Sequence, residues 1–252
     1  MNKIICDDAL FALESIEDES VDLVLTSPPY NFDMEYDKHQ DKDDEEHYID
    51  TLVTIFSECI RTLKDGGRLI INIQPNYKDY FPTHHYLTTA LVKEGLIWRG
   101  EIVWLKNNLK KLTAWGSYKS PSSPYLNYPF EFIEVFSKKS IKHDGNKEDI
   151  DITKDEFIKY VNGHWSMAPE TRMKEFDHPA MFPEELVKRC LKLFSYRNDV
   201  ILDPFNGVGT TTLVAHQLGR KYIGIDISES YCKVASQRIL SSNPLEQFMT
   251  DE

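Results

Sequence analysis

Apolar residues along this chain fall into two rhythms that alternate from end to end. Short, nearly continuous apolar runs occupy 3–6, 21–25, 68–73, 97–104, 130–136, 200–202 and 222–225. Strands buried on both faces read this way, whereas half-exposed strands alternate apolar and polar positions. Between the runs, apolar residues recur at three- and four-residue spacing over 47–63, 84–94, 184–194, 210–218 and 229–240, which predicts amphipathic helices. Gly66-Gly67 and Gly219 read as helix ends. Strands separated by helices predict an α/β fold: a mostly parallel, seven-stranded sheet with helices on both faces. The rhythm fails over about 137–175, apart from a short helix near 154–160, and this stretch reads as an insertion in one domain spanning 1–252. His164 and Trp165 within it are assigned to packing, because a lone aromatic or histidine is more often structural than functional.

Two strand exits carry chemistry. Val200-Ile201-Leu202-Asp203-Pro204-Phe205-Asn206-Gly207-Val208-Gly209-Thr210-Thr211 is a buried strand, a glycine turn and a helix start. Glycines let backbone pass close to a small molecule, and open α/β sheets bind ligands at the carboxyl ends of their strands. The next strand ends at Asp226, the distance downstream at which a ribose-hydroxyl acceptor stands in this architecture. Asp203 and the Thr210-Thr211 helix start face the same crevice and suit an amino-acid moiety. The third glycine of the dinucleotide fingerprint is missing and no GK[ST] follows, which disfavours nicotinamide and nucleoside triphosphate sites.

The second exit is Val21-Asp22-Leu23-Val24-Leu25 followed by Thr26-Ser27-Pro28-Pro29-Tyr30-Asn31. Consecutive prolines hold the chain extended and remove two N–H donors, leaving carbonyls. A rigid loop with the Ser27 hydroxyl, the Pro28 carbonyl and the Tyr30 ring suits a planar base bearing an amino group: its two N–H bonds meet acceptors while the ring stacks.

Composition narrows the setting. With 41% hydrophobic and 28% charged residues the chain reads as a globular protein without a membrane span. The first residues lack the apolar core of a signal peptide, so the expected location is the cytoplasm. Cys6, Cys59, Cys190 and Cys232 form no CxxC pair and are expected as reduced, mostly buried thiols, with no metal site. A net charge of −12 opposes nucleic-acid binding unless charge is segregated. An acidic run covers 33–50, while Arg99, Lys106, Lys110, Lys111, Lys119, Lys138, Lys139 and Lys142 gather mid-chain and are expected to form one DNA-facing surface. Within it, 106–120 mixes cations, amides and aromatics suited to phosphates and a displaced strand.

Together the two motifs resemble the amino-group DNA methyltransferases: Asp203–Thr211 resembles their cofactor loop and Ser27–Tyr30 their catalytic tetrapeptide. Catalytic loop first and cofactor loop last resembles the beta group, whose specificity segment lies between. The resemblance extends to Cys6-Asp7-Asp8, to 98–106 and to His178-Pro179-Ala180-Met181-Phe182-Pro183. It implies a Rossmann-like, circularly permuted methyltransferase fold in which 3–6 lies beside 222–225, and a target-recognition role for the insertion. It implies S-adenosyl-L-methionine as cofactor, S-adenosyl-L-homocysteine as product, and no metal. Asp8, with Asp7 as competitor, would meet adenine; Asp226 would meet the ribose and Phe182-Pro183 the methionine end, while Phe205, Asn206, Gly207 and Gly209 would form the cradle. Ser27, Pro28, Pro29 and Tyr30 would be catalytic, and the Ser form resembles cytosine-N4 more than adenine-N6 enzymes. The implied partners are double-stranded DNA and a restriction endonuclease of the same site, with the protein a monomer or homodimer. An RNA methyltransferase and a silent binding protein are the competing classes. Cytosine-C5 chemistry is disfavoured, since the loop lacks a cysteine nucleophile.

Overall fold

A computed structural model describes residues 2–31, 43–76, 79–107, 117–176 and 178–242 of the chain. The elements, in chain order, are β1 (Lys3–Cys6), α1 (Ala9–Glu14), β2 (Val21–Thr26), α2 (Glu45–Thr62), β3 (Leu63–Ile73), α3 (Thr83–Lys93), β4 (Leu96–Lys106) and β5 (Phe130–Lys138), then α4 (Lys154–Tyr160), β6 (His164–Met167), α5 (Glu184–Phe194), β7 (Val200–Asp203), α6 (Thr210–Gln217), β8 (Lys221–Asp226) and α7 (Glu229–Ser241). They build one sheet of order β1-β8-β7-β2-β3-β5-β4-β6. Among the described strands only β5 runs against the others, pairing antiparallel with β3 and β4. The first strand does lie beside β8, in the register Lys3↔Ile223 to Cys6↔Asp226, so the amino terminus closes the cofactor half of the sheet.

The sheet has eight strands where seven were expected. The eighth, β6, adds in parallel to β4 from within the irregular stretch. It alternates, with Trp165 and Met167 inward and His164 and Ser166 outward, so its two apolar residues never form a run. Trp165 is buried and gives its indole N–H to the Tyr160 carbonyl at 3.0 Å, in keeping with a packing role. Gly66-Gly67 does not end a helix. It lies inside β3, where pairing with β2 jumps from Val21↔Leu63 to Leu23↔Arg68.

Side-chain alternation divides the core in two. Val24, Leu69, Ile71, Leu202 and Ile225 point to α1, α2 and α3, meeting Leu13, Leu52, Phe56 and Leu87. Leu23, Leu25, Ile70, Ile133 and Ile201 point the other way, against Leu186, Leu191 and Leu213 of α5 and α6. Burial on both faces explains why the central strands are continuous apolar runs, and it fixes their register, because a one-residue slip would exchange the two cores. Caps set the helix starts: Asp8 accepts from Leu10 N–H, Asp44 from Glu46 and His47, Thr153 and Glu156 form a capping box, and Ser228 accepts from Tyr231. Among the described residues no helix is long and apolar enough to cross a membrane.

Candidate active site

Parallel strands deliver their carboxyl ends to one edge of the sheet, and there the structure has a cavity of about 640 Å³. Both sequence motifs open into it: Ser27, Pro28 and Tyr30 from the exit of β2, and Asp203, Phe205 and Gly207 from the exit of β7. Asp226 from β8 and Asp8 from the turn after β1 complete one end. The volume lies in the range of small-molecule sites.

Side chains from several elements hold the catalytic loop. Tyr30, 8% exposed, is 2.8 Å from the Ser27 hydroxyl through its own, lies 2.9 Å from Glu131 Oε2, and accepts from Asn72 Nδ2 at 2.7 Å. Asn72 also donates to Glu131, and Lys106 pairs with the second oxygen of that carboxylate. Lys106 further lies 5.4 Å above the Trp104 ring. Tyr48 of α2 donates its hydroxyl to the Pro29 carbonyl, whereas among the described residues nothing donates to the Pro28 carbonyl. Asn31, at φ 59°, ends the loop: its side chain accepts from Asp43 N–H and donates to the Asp43 carbonyl, tying the exit of β2 to the start of α2.

The cofactor loop is held by its own backbone and by β8. Asn206 N–H bonds the Ile225 carbonyl at 2.8 Å, and Gly207 N–H bonds Asp226 Oδ2 at 2.8 Å. Asp226 Oδ1 accepts from Ser228 N–H at 2.9 Å, so this carboxylate both shapes the loop and faces the cavity. Gly209 has φ 83°, and a Cβ there would stand 2.6 Å from that of Ala235. Glycine is therefore required where the turn meets α6. At Gly207 an added Cβ would meet His178 Nε2 at 2.8 Å. Burial pushes the His178 imidazole down to about 4, and its Nδ1 accepts from Ala180 N–H at 3.3 Å, which leaves a neutral ring over the loop. Burial lifts the Asp203 carboxyl to about 6, opposed first by the hydrogen bond that Thr26 Oγ1 donates at 2.6 Å.

The other predicted residues are spread around this centre. Phe182 and Thr210 line the cavity, and Thr210 accepts from Arg238 at 3.3 Å. Asn206 lines it too and accepts from Thr212, while Phe205 is anchored edge-on to Phe56. Pro183 caps α5, Gly209 makes the turn and Thr211 is fully buried, and none of the three is on the cavity wall. Asp8 lines the cavity and Asp7 does not, although Asp8 already spends one oxygen on capping α1. Two carboxylates, with no cation beside them among the described residues, suit hydroxyl and amine donors at this end and repel phosphate. The wall therefore fits an adenosine bearing an amino acid.

Among the described residues, the expected single basic surface does not form. Lys106 is inside the cavity, but Lys138 bonds the Arg61 and Leu63 carbonyls, Lys139 pairs with Asp65, and Arg99 bonds the Ile141 carbonyl, all at the opposite end of the sheet. Lys110, Lys111 and most of the acidic run lie outside the described residues. The irregular stretch also divides. Residues 141–151 cross the amino ends of the strands, where His143 pairs with Asp199 and Asp151 with Arg220, whereas Pro169 and Met173 return to the cavity.

Sequence reasoning missed Asn72, Glu131 and Tyr48, and placed Lys106 on a surface loop. A faint signal existed: Asn72 interrupts the apolar run 69–73, and Glu131, like Glu134, interrupts the apolar run 130–136. Glu131 is the second residue of β5, and because β5 is antiparallel, its start lies at the carboxyl ends of β3 and β4.

The sequence model of the DNA methylase family, covering N6 and N4 enzymes, matches residues 21–237. The type II methyltransferase M.MjaVI of Methanocaldococcus jannaschii is 36% identical over 176 residues, 69% of this chain and 89% of its own. The DNA adenine methyltransferase YhdJ of Escherichia coli K12 is 32% identical over 248 residues, 94% of this chain and 82% of its own. Among solved structures, TTHA0409 of Thermus thermophilus in complex with S-adenosyl-L-methionine has a TM-score of 0.77 at 26% identity, covering 97% of both chains. PvuII DNA methyltransferase, cytosine-N4-specific, shares the fold with a TM-score of 0.74 at 21% identity, covering 99% of this chain and 90% of its own.

Proposed function

This chain belongs to the DNA methylase family of N6 and N4 amino-group enzymes, and from that premise we propose that it methylates N4 of a cytosine turned out of double-stranded DNA. It is an S-adenosyl-L-methionine-dependent DNA methyltransferase. The observation that carries the reading is the shared cavity into which Ser27, Pro28 and Tyr30 open opposite Gly207 and Asp226.

A base inside a duplex cannot reach the strand exits, so the target nucleotide leaves the stack and enters the cavity. Tyr30, fixed by its hydroxyl, offers a wall for the planar ring. The Ser27 hydroxyl and the free Pro28 carbonyl accept the two N–H bonds of the amine, drawing nitrogen away from planarity and aiming its lone pair across the cavity. S-adenosyl-L-methionine supplies a methyl carbon already activated by its sulfonium, so alignment contributes more than a strong base. Asp226 and Asp8 hold the ribose and adenine, Phe205, Asn206 and Gly207 form the cradle, and Phe182 and Asp203 border the methionine end. A neutral His178 adds no positive charge beside that sulfonium.

Ser27, in place of an acidic or amide residue, supports cytosine. A second reading, adenine N6, is favoured by the 32% identity to a DNA adenine methyltransferase. Mass spectrometry of nucleosides from a methylation-free host expressing the protein separates them: N4-methylcytosine is expected, and N6-methyladenine alone would overturn the cytosine assignment. Relatives named type II methyltransferases support a partner endonuclease that cuts the same site. Of the irregular stretch, the part near Pro169 and Met173 stands where a target-recognition segment would meet DNA.

A further inference from the structure

The amine must lose a proton once it carries the methyl group, and nothing assigned so far receives it. Glu131 is 5% exposed and lines the cavity beside the catalytic loop. Its carboxylate is paired with Lys106 and can only accept hydrogen bonds. Tyr30 has a single hydroxyl proton, and the oxygens around it include Ser27 Oγ at 2.8 Å, Glu131 Oε2 at 2.9 Å and the Asn72 carbonyl at 3.4 Å. The carboxylate is the charged acceptor and takes it. Tyr30 then accepts from Asn72 Nδ2 and from Ser27, 2.8 Å away, so the Ser27 proton points at Tyr30. What Ser27 presents to the cavity is a pair of electrons, as an amine N–H requires. Without Glu131, the Tyr30 proton is free to turn toward Ser27, and the Ser27 proton to turn into the cavity and oppose the amine.

We propose that Glu131 is a positioning residue that orients the Ser27 hydroxyl through Tyr30 and receives the proton the amine releases. The inference rests on the amino-methylation reading above. As the nitrogen lone pair forms the N–C bond, the C–S bond breaks and leaves its electron pair on sulfur. One N–H proton then moves to Ser27 Oγ, the Ser27 proton to Tyr30 Oη, and the Tyr30 proton to Glu131 Oε2. Both hydroxyls end with one proton, the base is a neutral N-methyl amine, and Glu131 is a carboxylic acid. A protonated exocyclic nitrogen is a much stronger acid than a carboxylic acid, so the concerted relay runs downhill from end to end.

The test measures single-turnover methyl transfer to methylation-free bacterial genomic DNA, alongside DNA and cofactor affinity, for Glu131→Gln, Tyr30→Phe and the double variant. Each single change is expected to slow transfer by about 10²–10³-fold, the lower part of the range for positioned proton transfer, with both affinities kept. The double variant should be no slower than the slower single one, since both break one chain. Tyr30→Phe keeps the ring and removes only the relay hydroxyl, which covers the case in which Glu131→Gln misfolds. In the resting protein, NMR of labelled tyrosine should show a downfield, exchange-protected Tyr30 hydroxyl proton that moves in Glu131→Gln. Wild-type transfer rates in Glu131→Gln, independent multiplication of the two effects, or cofactor affinity falling in step with rate would each overturn the relay. A wild-type protein that methylates no DNA would remove the proposed function and the relay together, whereas unaltered variants beside an active wild type remove the relay alone.

Discussion

The loop after β7 is held mainly through its own backbone groups, whereas the loop after β2 is held through side chains from four other elements. Around Gly207, the Asn206 and Gly207 N–H groups reach the end of the adjacent β8, Arg238 of α7 donates to the Val208 carbonyl, and Gly209 supplies a φ of 83°. Around Ser27 the contacts are long-range: Tyr48 from α2, Asn72 from β3, Lys106 from β4 and Glu131 from β5 converge on two hydroxyls and one carbonyl. A cofactor can be gripped by one rigid turn, because its parts are always the same. An amine must be met by acceptors whose protons point elsewhere, and that direction has to be imposed from behind.

The difference implies that the two loops fail separately. The largest effect is expected from Ser27→Ala, which should lower kcat by about 10²–10³-fold, comparable to removing one aimed hydrogen-bonding group from an active site, and leave cofactor affinity unchanged. Equilibrium binding beside steady-state kinetics checks this; loss of both together would mean that the loops are one structural unit. Asp226→Ala should do the converse, raising the cofactor Kd by about 10–100-fold, the worth of hydrogen bonds to a charged group, while saturating cofactor restores most of the rate. Isothermal titration reads the first part and rate against cofactor concentration the second.

Asp203→Asn should give the smallest effect, since it keeps the Oδ1 acceptor for Thr26 and for the Phe205 N–H while removing titration. The carboxyl is raised from 3.8 to about 6 on folding, so between those values the folded chain holds more protons than the unfolded one and stability falls as pH rises. His84 and His178, both depressed to about 4 by burial, slope the other way over a similar window and are common to both proteins. The difference in Tm, variant minus wild type, should therefore grow from pH 4 to 6 and then level. A constant difference would place the Asp203 carboxyl near its ordinary value.

The same contrast decides what could be read from the residues alone. The cofactor loop is contiguous with its strand and its helix, and Asp226 ends the next strand, so local pattern sufficed. The catalytic loop was equally visible, but its support was not, because little marks Asn72 apart within β3 or distinguishes Glu131 from Glu134 of the same strand, and only strand pairing brings Asn72 and Glu131 together. Helix α1, at six residues, is too short to show periodicity. The basic residues mislead for a topological reason. Lys106 ends β4 and Lys138 ends β5, and since the two strands are antiparallel, neighbours in the hairpin lie at opposite edges of the sheet.

The central claim is that both loops serve one chemical event in one cavity. A crystal structure with S-adenosyl-L-homocysteine and a duplex carrying the mapped target site tests it directly. The account predicts the ribose on Asp226, the target base against Tyr30 with its amine on Ser27 and Pro28, and the homocysteine sulfur facing that amine across a gap that would place a methyl carbon about 3–3.5 Å from nitrogen. A sulfur turned away from Ser27, or a cofactor bound outside the cavity, would contradict it.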